Sequence, residues 1–232
     1  MSKPLESASS KVKESRRSSP REETGRVYSG LSMLERRSRR RDAFIKAGAR
    51  LFGRDGFDAT TTRALCSEAG LTQRYFYELF DSMEELFLAV CIHLRAGITE
   101  ELLRTAEAHP KDPRKAMRAM LMTYFELIRR SPETARILLV EAYTASRHAE
   151  IEAHEFVEEL AGIVRKIMPW HLEQGLDPRL VTVGLVGAAR QLAMLWTLSH
   201  YKESIEQIVD AATSLYLPLL QNGSPRKKGK RE

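Results

Sequence analysis

The chain has 232 residues, of which 43% are hydrophobic and 29% are charged. This composition is typical of a soluble globular protein with one or two domains, and it excludes collagen-like and wholly disordered chains. The only two cysteines are Cys66 and Cys91, which excludes a disulfide framework and favours a reducing cytoplasm. The first residues contain no apolar core, so they do not have the pattern of a secretory signal.

The net charge of +6 is concentrated at the two ends of the chain. Residues 1–41 hold twelve basic and five acidic side chains, and residues 223–232 hold five basic and one acidic. The remaining residues hold twenty basic and twenty-five acidic side chains. Residues 1–32 and 222–232 lack apolar periodicity and are predicted to be disordered. The arginine cluster at 36–41, which includes Arg39 and Arg40, is predicted to lie along DNA as a basic arm. A solubilising leader is the alternative.

Residues 60–80 have the pattern of two short helices joined by a turn. Thr61 and Thr72 stand where a side-chain oxygen caps the start of each helix. Gly70 supplies the backbone freedom that the sharp turn requires. Phe76 and Phe80 fall on the inward side of the second helix. The pattern predicts a helix-turn-helix.

The outward side of that second helix carries side chains suited to reading DNA. Arginine bonds guanine, glutamine bonds adenine, and a tyrosine hydroxyl reaches a phosphate. The alternative is a helical hairpin whose outward side chains are merely solvated, with Arg74 and Glu78 as an i, i+4 ion pair. Gln73, Arg74 and Tyr75 are predicted to contact bases or the groove. The other predicted DNA contacts are Arg39, Arg40, Thr61, Thr62, Thr72 and Tyr77.

The run from about Arg41 to Val90 resembles the N-terminal DNA-binding domain of the TetR/AcrR family of transcriptional regulators. The matching residues are Ala47, Leu51-Phe52, Gly56-Phe57, Thr60-Thr61, Ala69-Gly70-Leu71-Thr72, Phe76-Tyr77, Phe80, Ser82, Glu84 and Leu86. Three positions depart from the family pattern. Cys66 replaces the usual alanine, Leu79 replaces a common tyrosine or histidine, and Met83 replaces a lysine that often contacts a phosphate.

The rest of the chain is predicted to be helical. A capping box at Ser82 and Glu85 opens a helix that extends to about Glu107. Three later helices are predicted to begin with a capping residue followed by proline, at Asp112-Pro113, Ser131-Pro132 and Asp177-Pro178. A long apolar stripe predicts a helix from about Ala149 to Met168, which Pro169 ends. A final helix is predicted from Glu203 to about Leu217, before Pro218.

The predicted fold is therefore all-α, with about nine helices and no strand. A three-helix helix-turn-helix domain (33–81) precedes a larger helical ligand-binding and dimerisation domain (82–221). This two-part plan is also what the family resemblance implies.

The most apolar run covers residues 181–196. A membrane span is disfavoured because Arg190 and Gln191 interrupt it. A helix that is apolar on nearly all sides has to be covered on all sides, and Gly184 and Gly187 allow another helix to approach closely. This helix and the last one are predicted to form a dimer interface, as the resemblance implies; a buried helix within one chain is the alternative. A homodimer is expected to bind a palindromic operator in double-stranded DNA.

The resemblance also implies a small-molecule effector pocket in the C-terminal domain. Ordinary core packing is the alternative role for each candidate lining residue. Arg190 is the sharpest candidate, because a lone cation in an apolar helix needs a partner. That partner is either an acidic side chain such as Glu141 or an anionic ligand such as an acyl carboxylate. The candidate lining residues are Met120, Tyr124, Phe125, Leu138, Tyr143, Phe156, Leu160, Arg190, Met194 and Trp196.

The sequence contains no phosphate-binding glycine loop, no nucleophile elbow and no zinc spacing among its histidines, so no enzyme and no cofactor are predicted. The pairs His148/Glu152 and His154/Glu158 are interpreted as part of a solvated helix face. The expected protein is a cytoplasmic, dimeric repressor of the TetR type that a small molecule releases from DNA. The alternatives are a helical ligand-binding or enzymatic protein with a vestigial helix-turn-helix, and a nonspecific DNA-binding protein that acts through its basic arms.

Overall fold

A computed structural model of the chain describes residues 32–167 and 176–217. In these two ranges the secondary structure is entirely helical, which confirms the predicted all-α class. The helices are α1 (Met33–Asp55), α2 (Thr62–Ala69), α3 (Gln73–Tyr77), α4 (Met83–Glu107), α5 (Pro113–Arg130), α6 (Pro132–Leu139), α7 (Arg147–Ile167), α8 (Pro178–Leu198) and α9 (Ile205–Tyr216), with a 3-10 helix at Glu141–Tyr143 after α6. The segments predicted to be disordered lie almost wholly outside the described residues.

The arginine cluster at 36–41 is part of helix α1 and does not form an extended arm. Helix α1 begins at a capping box in which the Ser32 hydroxyl accepts from Glu35 N at 3.1 Å, while the Glu35 carboxylate accepts from Ser32 N. These two bonds satisfy backbone N–H groups that would otherwise lack a partner. The cluster is therefore part of the first helix and does not precede it, while its contact with DNA stays a prediction.

Aromatic side chains hold α1 against α3 and α4. Phe44 of α1 meets Phe76 edge-to-face, with ring centroids 5.6 Å apart, and it also meets Phe80. Phe52 meets Phe87 of α4 at 5.2 Å in the same way. All five rings are buried, and such pairs add about 0.5–1.5 kcal/mol each to the hydrophobic term. The helix-turn-helix is thus anchored to a rigid support.

Helix α6 lies directly against helix α1. A Cβ atom added at Gly53 of α1 would overlap the Cβ atom and backbone of Glu133 in α6. The two helices approach this closely only because residue 53 has no side chain. The contact joins the helix-turn-helix end of the chain to the C-terminal helices.

The predicted helix starts are confirmed with small changes. Asp112, Ser131 and Asp177 each accept a backbone N–H and are followed by proline. Ser82 caps α4, but Glu85 accepts from Asp81 N instead of Ser82 N, so the predicted capping box is only half formed. Helix α7 begins two residues before its predicted start and α9 two residues after. Pro169 and Pro218, which were predicted to end helices, lie outside the described residues.

Helix α8 is not covered on all sides within one chain, which disagrees with the alternative of a helix buried within a single chain. Leu180, Leu195 and Leu198 are 61%, 54% and 60% exposed. By length and composition α8 is the one helix of the described residues that meets the criteria for crossing a membrane, and only 22% of its apolar window is buried. A Cβ atom at Gly184 or Gly187 would meet no atom within 4 Å. One apolar face of this helix therefore lacks a partner in the single chain.

Candidate nucleic-acid interface and effector cavity

The turn between α2 and α3 has the predicted geometry. Gly70 has a φ of +65°, in the left-handed region that favours glycine, and the next residue, Leu71, donates its N–H to Cys66 O at 3.0 Å. Thr61 caps α2 by accepting from Ala64 N at 3.2 Å. Thr72 occupies the cap position of α3, but its side chain accepts no backbone bond there. The predicted capping bond of Thr72 is wrong, and its hydroxyl is left exposed.

Helix α3 buries Phe76 and exposes its polar face. The Arg74 side chain is 84% exposed and pairs with Glu78, with Arg74 Nε at 2.9 Å from Glu78 Oε1. Tyr77 is 61% exposed and Gln73 is also exposed. The i, i+4 ion pair and the exposed face are thus both present. Because an exposed pair contributes only about 0.2–1 kcal/mol, Arg74 can leave Glu78 for a base at little cost.

Tyr75 differs from the other side chains predicted to contact bases. Its ring is half-buried beneath Arg40, with the guanidinium carbon 4.3 Å from the ring centroid. Tyr75 thus packs against helix α1 and is not presented freely on the outward face of α3. Tyr75 is therefore less exposed than Gln73, Arg74 and Tyr77, and its contact with a base or the groove stays a prediction.

Basic side chains of α1 also hold the end of the helix-turn-helix. Arg41 lies over the Phe80 ring at 4.6 Å and donates to Leu79 O at 3.4 Å. Arg37 donates to Glu78 O at 3.5 Å. Arg39 remains exposed and makes no ion pair in the described part of the chain. The cluster therefore divides into side chains that support α3 and side chains that face solvent, a division that the linear sequence does not reveal.

A cavity of about 90 Å³ lies among helices α4 to α9. Seven of the ten residues predicted to line a pocket line this cavity: Met120, Tyr124, Leu138, Tyr143, Phe156, Leu160 and Arg190. The other three do not line it. Phe125 and Trp196 pack against each other with centroids 5.9 Å apart, and Met194 is half-buried elsewhere on α8.

Arg190 projects into this cavity from α8. It donates from Nη2 to Leu139 O at 2.8 Å, and its guanidinium carbon lies 3.8 Å from the centroid of the Tyr143 ring. Its Nε is buried and has no hydrogen-bond partner in the described residues. Glu141, the suggested acidic partner, is bonded to Arg136 at 3.1 Å instead. The predicted pairing of Arg190 with Glu141 is wrong because Arg136 of α6 lies closer to that carboxylate.

Helix α4 forms one wall of the cavity, but none of the lining residues predicted from the sequence lies on α4. Arg95 is the charged member of this wall and is only 7% exposed. It donates to Glu152 O at 2.8 Å, lies 3.9 Å from the Glu152 carboxylate and stands over the Phe156 ring at 5.1 Å. The sequence feature that could have identified Arg95 is the one that identified Arg190, namely a lone cation in an apolar part of a helix.

No group of three or more His, Cys, Asp or Glu side chains in the described ranges has the arrangement of a metal site. His148 lies 3.8 Å from Glu152 on an exposed face. His154 meets the Tyr143 ring edge-to-face at 5.3 Å. These contacts give the two histidines ordinary structural surroundings.

Comparisons with known proteins agree with this arrangement. The family model described as bacterial regulatory proteins, tetR family, matches residues 44–90. The transcriptional repressor NicS of Pseudomonas putida is 29% identical over 142 residues, which are 60% of this chain and 66% of NicS. The transcriptional activator FasR of Mycolicibacterium smegmatis is 24% identical over 167 residues, or 69% of this chain and 73% of FasR.

A solved structure extends the likeness to the C-terminal helices. The transcriptional regulator FadR of Bacillus subtilis, in complex with stearoyl-CoA, superposes with a TM-score of 0.64 at 14% identity and covers 75% of this chain and 96% of FadR. At this identity the likeness establishes the fold. Together, the matched domain, the curated relatives and the shared fold confirm the resemblance seen in the sequence. The chain therefore resembles the tetR family of bacterial regulatory proteins through residues 44–90, and it shares the fold of a solved TetR-like regulator.

Proposed function

We propose that this chain is a sequence-specific DNA-binding transcriptional regulator that acts by binding and not by catalysis. The observation that carries the proposal is the polar face of α3, where Gln73, Arg74 and Tyr77 are exposed on a helix fixed by buried Phe76. A recognition helix needs this combination of a rigid support and free polar side chains. Thr61, Thr62, Thr72 and Arg39 are the proposed phosphate contacts.

The regulator is proposed to be a cytoplasmic repressor that a small molecule releases from its operator. The cavity among α4 to α9 supports an effector, because it is mostly apolar and contains a few polar groups, as ligand sites commonly do. NicS is named a repressor and FasR an activator, and the proposal follows NicS, which aligns at the higher identity. The proposed domain boundary at residues 81 and 82 coincides with the cap of α4.

The regulator is also proposed to be a homodimer that binds a palindromic operator. The unpartnered face of α8, with Leu180, Leu195 and Leu198, supports a second copy as its cover, and Leu215 of α9 is 44% exposed beside it. Gly187 would let the partner helix approach closely. A two-fold axis through these helices would present two copies of α3 to two half-sites of the same DNA.

The test is a mobility-shift assay on DNA from upstream of the chain's own gene, with random DNA as competitor. Arg74→Ala is expected to weaken operator binding by about 1–3 kcal/mol and to relax one base position. Arg104→Ala is the matched control, since Arg104 is an exposed arginine on α4 that pairs with Glu100 and Glu101.

The two alternatives give different results in the same assay. A nonspecific DNA-binding protein would lose its complex equally to random DNA, and Arg74→Ala would weaken both complexes alike. A vestigial helix-turn-helix would give no complex at physiological salt. Either result would contradict the proposed function.

A further inference from the structure

We infer that the effector is an apolar monocarboxylate whose carboxylate binds Arg190 inside the cavity, with the Tyr124 hydroxyl as a second donor. The inference rests on the proposed function in that it takes this cavity as the effector site. It follows from the charge balance of the cavity wall, from the hydrogen bonds already made there and from the charges outside.

The cavity wall carries two guanidinium groups, and only one of them is neutralised by the protein. Arg95 has the Glu152 carboxylate at 3.9 Å. Arg190 has no carboxylate within ion-pair distance in the described residues, and its buried Nε donates to nothing there. Burying a cation without a counter-ion is unfavourable. A ligand carboxylate would supply both the missing charge and the missing acceptor.

A second donor lies beside Arg190. The wall contains three tyrosines, and two of their hydroxyls are engaged: Tyr143 with Ala153 O at 3.5 Å and Tyr216 with Leu185 O at 2.9 Å. The Tyr124 hydroxyl makes no hydrogen bond within the described residues. Burial raises the pKa of Tyr124, although the nearby Arg190 charge opposes part of that rise. Tyr124 therefore stays protonated and can donate to an anion beside Arg190.

The remaining wall selects the rest of the ligand. Apart from Arg95, Arg190, Thr99 and the tyrosines, the side chains that line the cavity are apolar. They favour an alkyl or aryl body and leave a single place for a charged group, so a dicarboxylate would bury a second charge without a partner.

Charges outside the cavity disfavour a coenzyme A thioester. A groove between α4 and α7 shares Arg95, Thr99 and Phe156 with the cavity. Four glutamates line this groove: Glu100, Glu152, Glu155 and Glu159. The phosphates of a coenzyme A group placed there would meet like charges. A thioester also has no carboxylate for Arg190 to bind.

The test is isothermal titration calorimetry on the full chain without DNA. The probes are hexanoate, decanoate, phenylacetate and 4-phenylbutyrate, each compared with its methyl ester, together with decanoyl-CoA. At least one carboxylate is expected to bind about tenfold or more tightly than its ester. Binding of none of the acids, equal binding of acid and ester, or binding of decanoyl-CoA alone would overturn the inference.

Three variants assign the binding to the proposed groups. Arg190→Gln is expected to weaken the preferred acid about tenfold or more, while leaving the ester unchanged. Tyr124→Phe is expected to weaken binding of the acid several-fold. Because this variant keeps the aromatic ring, it still tests the site if Arg190→Gln does not fold. Arg165→Gln is the matched control, because Arg165 bonds Thr182 outside the cavity wall. Unchanged acid binding in both Arg190→Gln and Tyr124→Phe would overturn the inference.

The mobility shift of the operator separates this inference from the proposed function. If the chain binds its operator specifically but no carboxylate binds in calorimetry or affects the operator complex, the inference is wrong and the proposed function stands. If a carboxylate binds in a way that depends on Arg190 but the chain does not bind DNA specifically, the proposed function is wrong and the carboxylate site stands.

Discussion

Glu141 accepts a hydrogen bond from the backbone N–H of Phe57 at 3.0 Å, although the two residues are 84 positions apart. The same carboxylate holds Arg136, which in turn donates to Arg54 O at 2.7 Å. These bonds connect the end of α1, just before the helix-turn-helix, to the end of α6. Arg190 of the cavity donates to Leu139 O, only two residues before Glu141. The cavity wall and the end of α1, just before the helix-turn-helix, are therefore linked through the end of α6.

Glu141→Ala is expected to lower the free energy of unfolding by about 1–3 kcal/mol, because Phe57 N–H and the Arg136 guanidinium both lose their acceptor. Urea denaturation measures the change. Glu141→Gln is the matched control, since its amide oxygen still accepts from Phe57 N–H and it should lose less. Equal stability of Glu141→Ala and the wild type would show that this link contributes nothing to folding.

Gly53→Ala is expected to destabilise the fold by about 1–3 kcal/mol, because the new Cβ would overlap Glu133 and push α6 away from α1. Gly97→Ala is the control: residue 97 lies within α4, and its Cβ would meet no atom within 4 Å. That control should gain about 0.5–1 kcal/mol from helix propensity. Thermal unfolding compares the two, and a similar shift in both would contradict the close approach of the helices.

Arg39→Ala and Arg40→Ala are expected to affect DNA binding differently. Arg39 is exposed, so its loss should weaken binding to operator and random DNA equally. It should also lower the slope of log affinity against log salt concentration by about one. Arg40 covers Tyr75, so its loss should loosen α3 and weaken the operator more than random DNA. Competition binding over a range of salt concentrations measures both effects. Identical behaviour of the two variants would contradict the division of the arginine cluster.

Leu195→Glu is expected to shift the protein toward monomers at micromolar concentration, because the carboxylate would be buried without a partner in the α8 interface. Ile151→Glu is the matched control on α7, where Ile151 is 45% exposed. Light scattering coupled to size exclusion measures the mass. A wild type that is itself monomeric, or a Leu195→Glu variant that remains dimeric, would contradict the proposed interface.

The stability of the chain is expected to fall as the pH rises above about 8.5, where an unfolded cysteine begins to ionise. Burial raises the pKa of the Cys91 thiol to about 12, so in this range the unfolded chain holds fewer protons than the folded chain. The free energy of unfolding then decreases by up to about 1.4 kcal/mol per pH unit. Urea denaturation should show a shallower decrease in Cys91→Ala, and an unchanged slope would contradict the burial of the thiol.

The helix-turn-helix, the all-α class and most helix starts could be predicted from the residues alone, because these features depend on local chemistry. Gly70 marks a turn that favours a left-handed residue, and a capping residue before Pro113, Pro132 or Pro178 marks a helix start wherever the chain packs. The spacing of Phe76 and Phe80 likewise defines a buried face within a few residues.

The residues that share a site could not be predicted in the same way. Arg39 and Arg40 are adjacent in sequence, but the rotation of about 100° per residue along α1 directs one to solvent and the other onto Tyr75. Glu141 pairs with Arg136 and Phe57 instead of Arg190, because the packing of α6 against α1 sets those distances. Pairings between distant helices depend on how the helices pack, which local residue patterns do not encode.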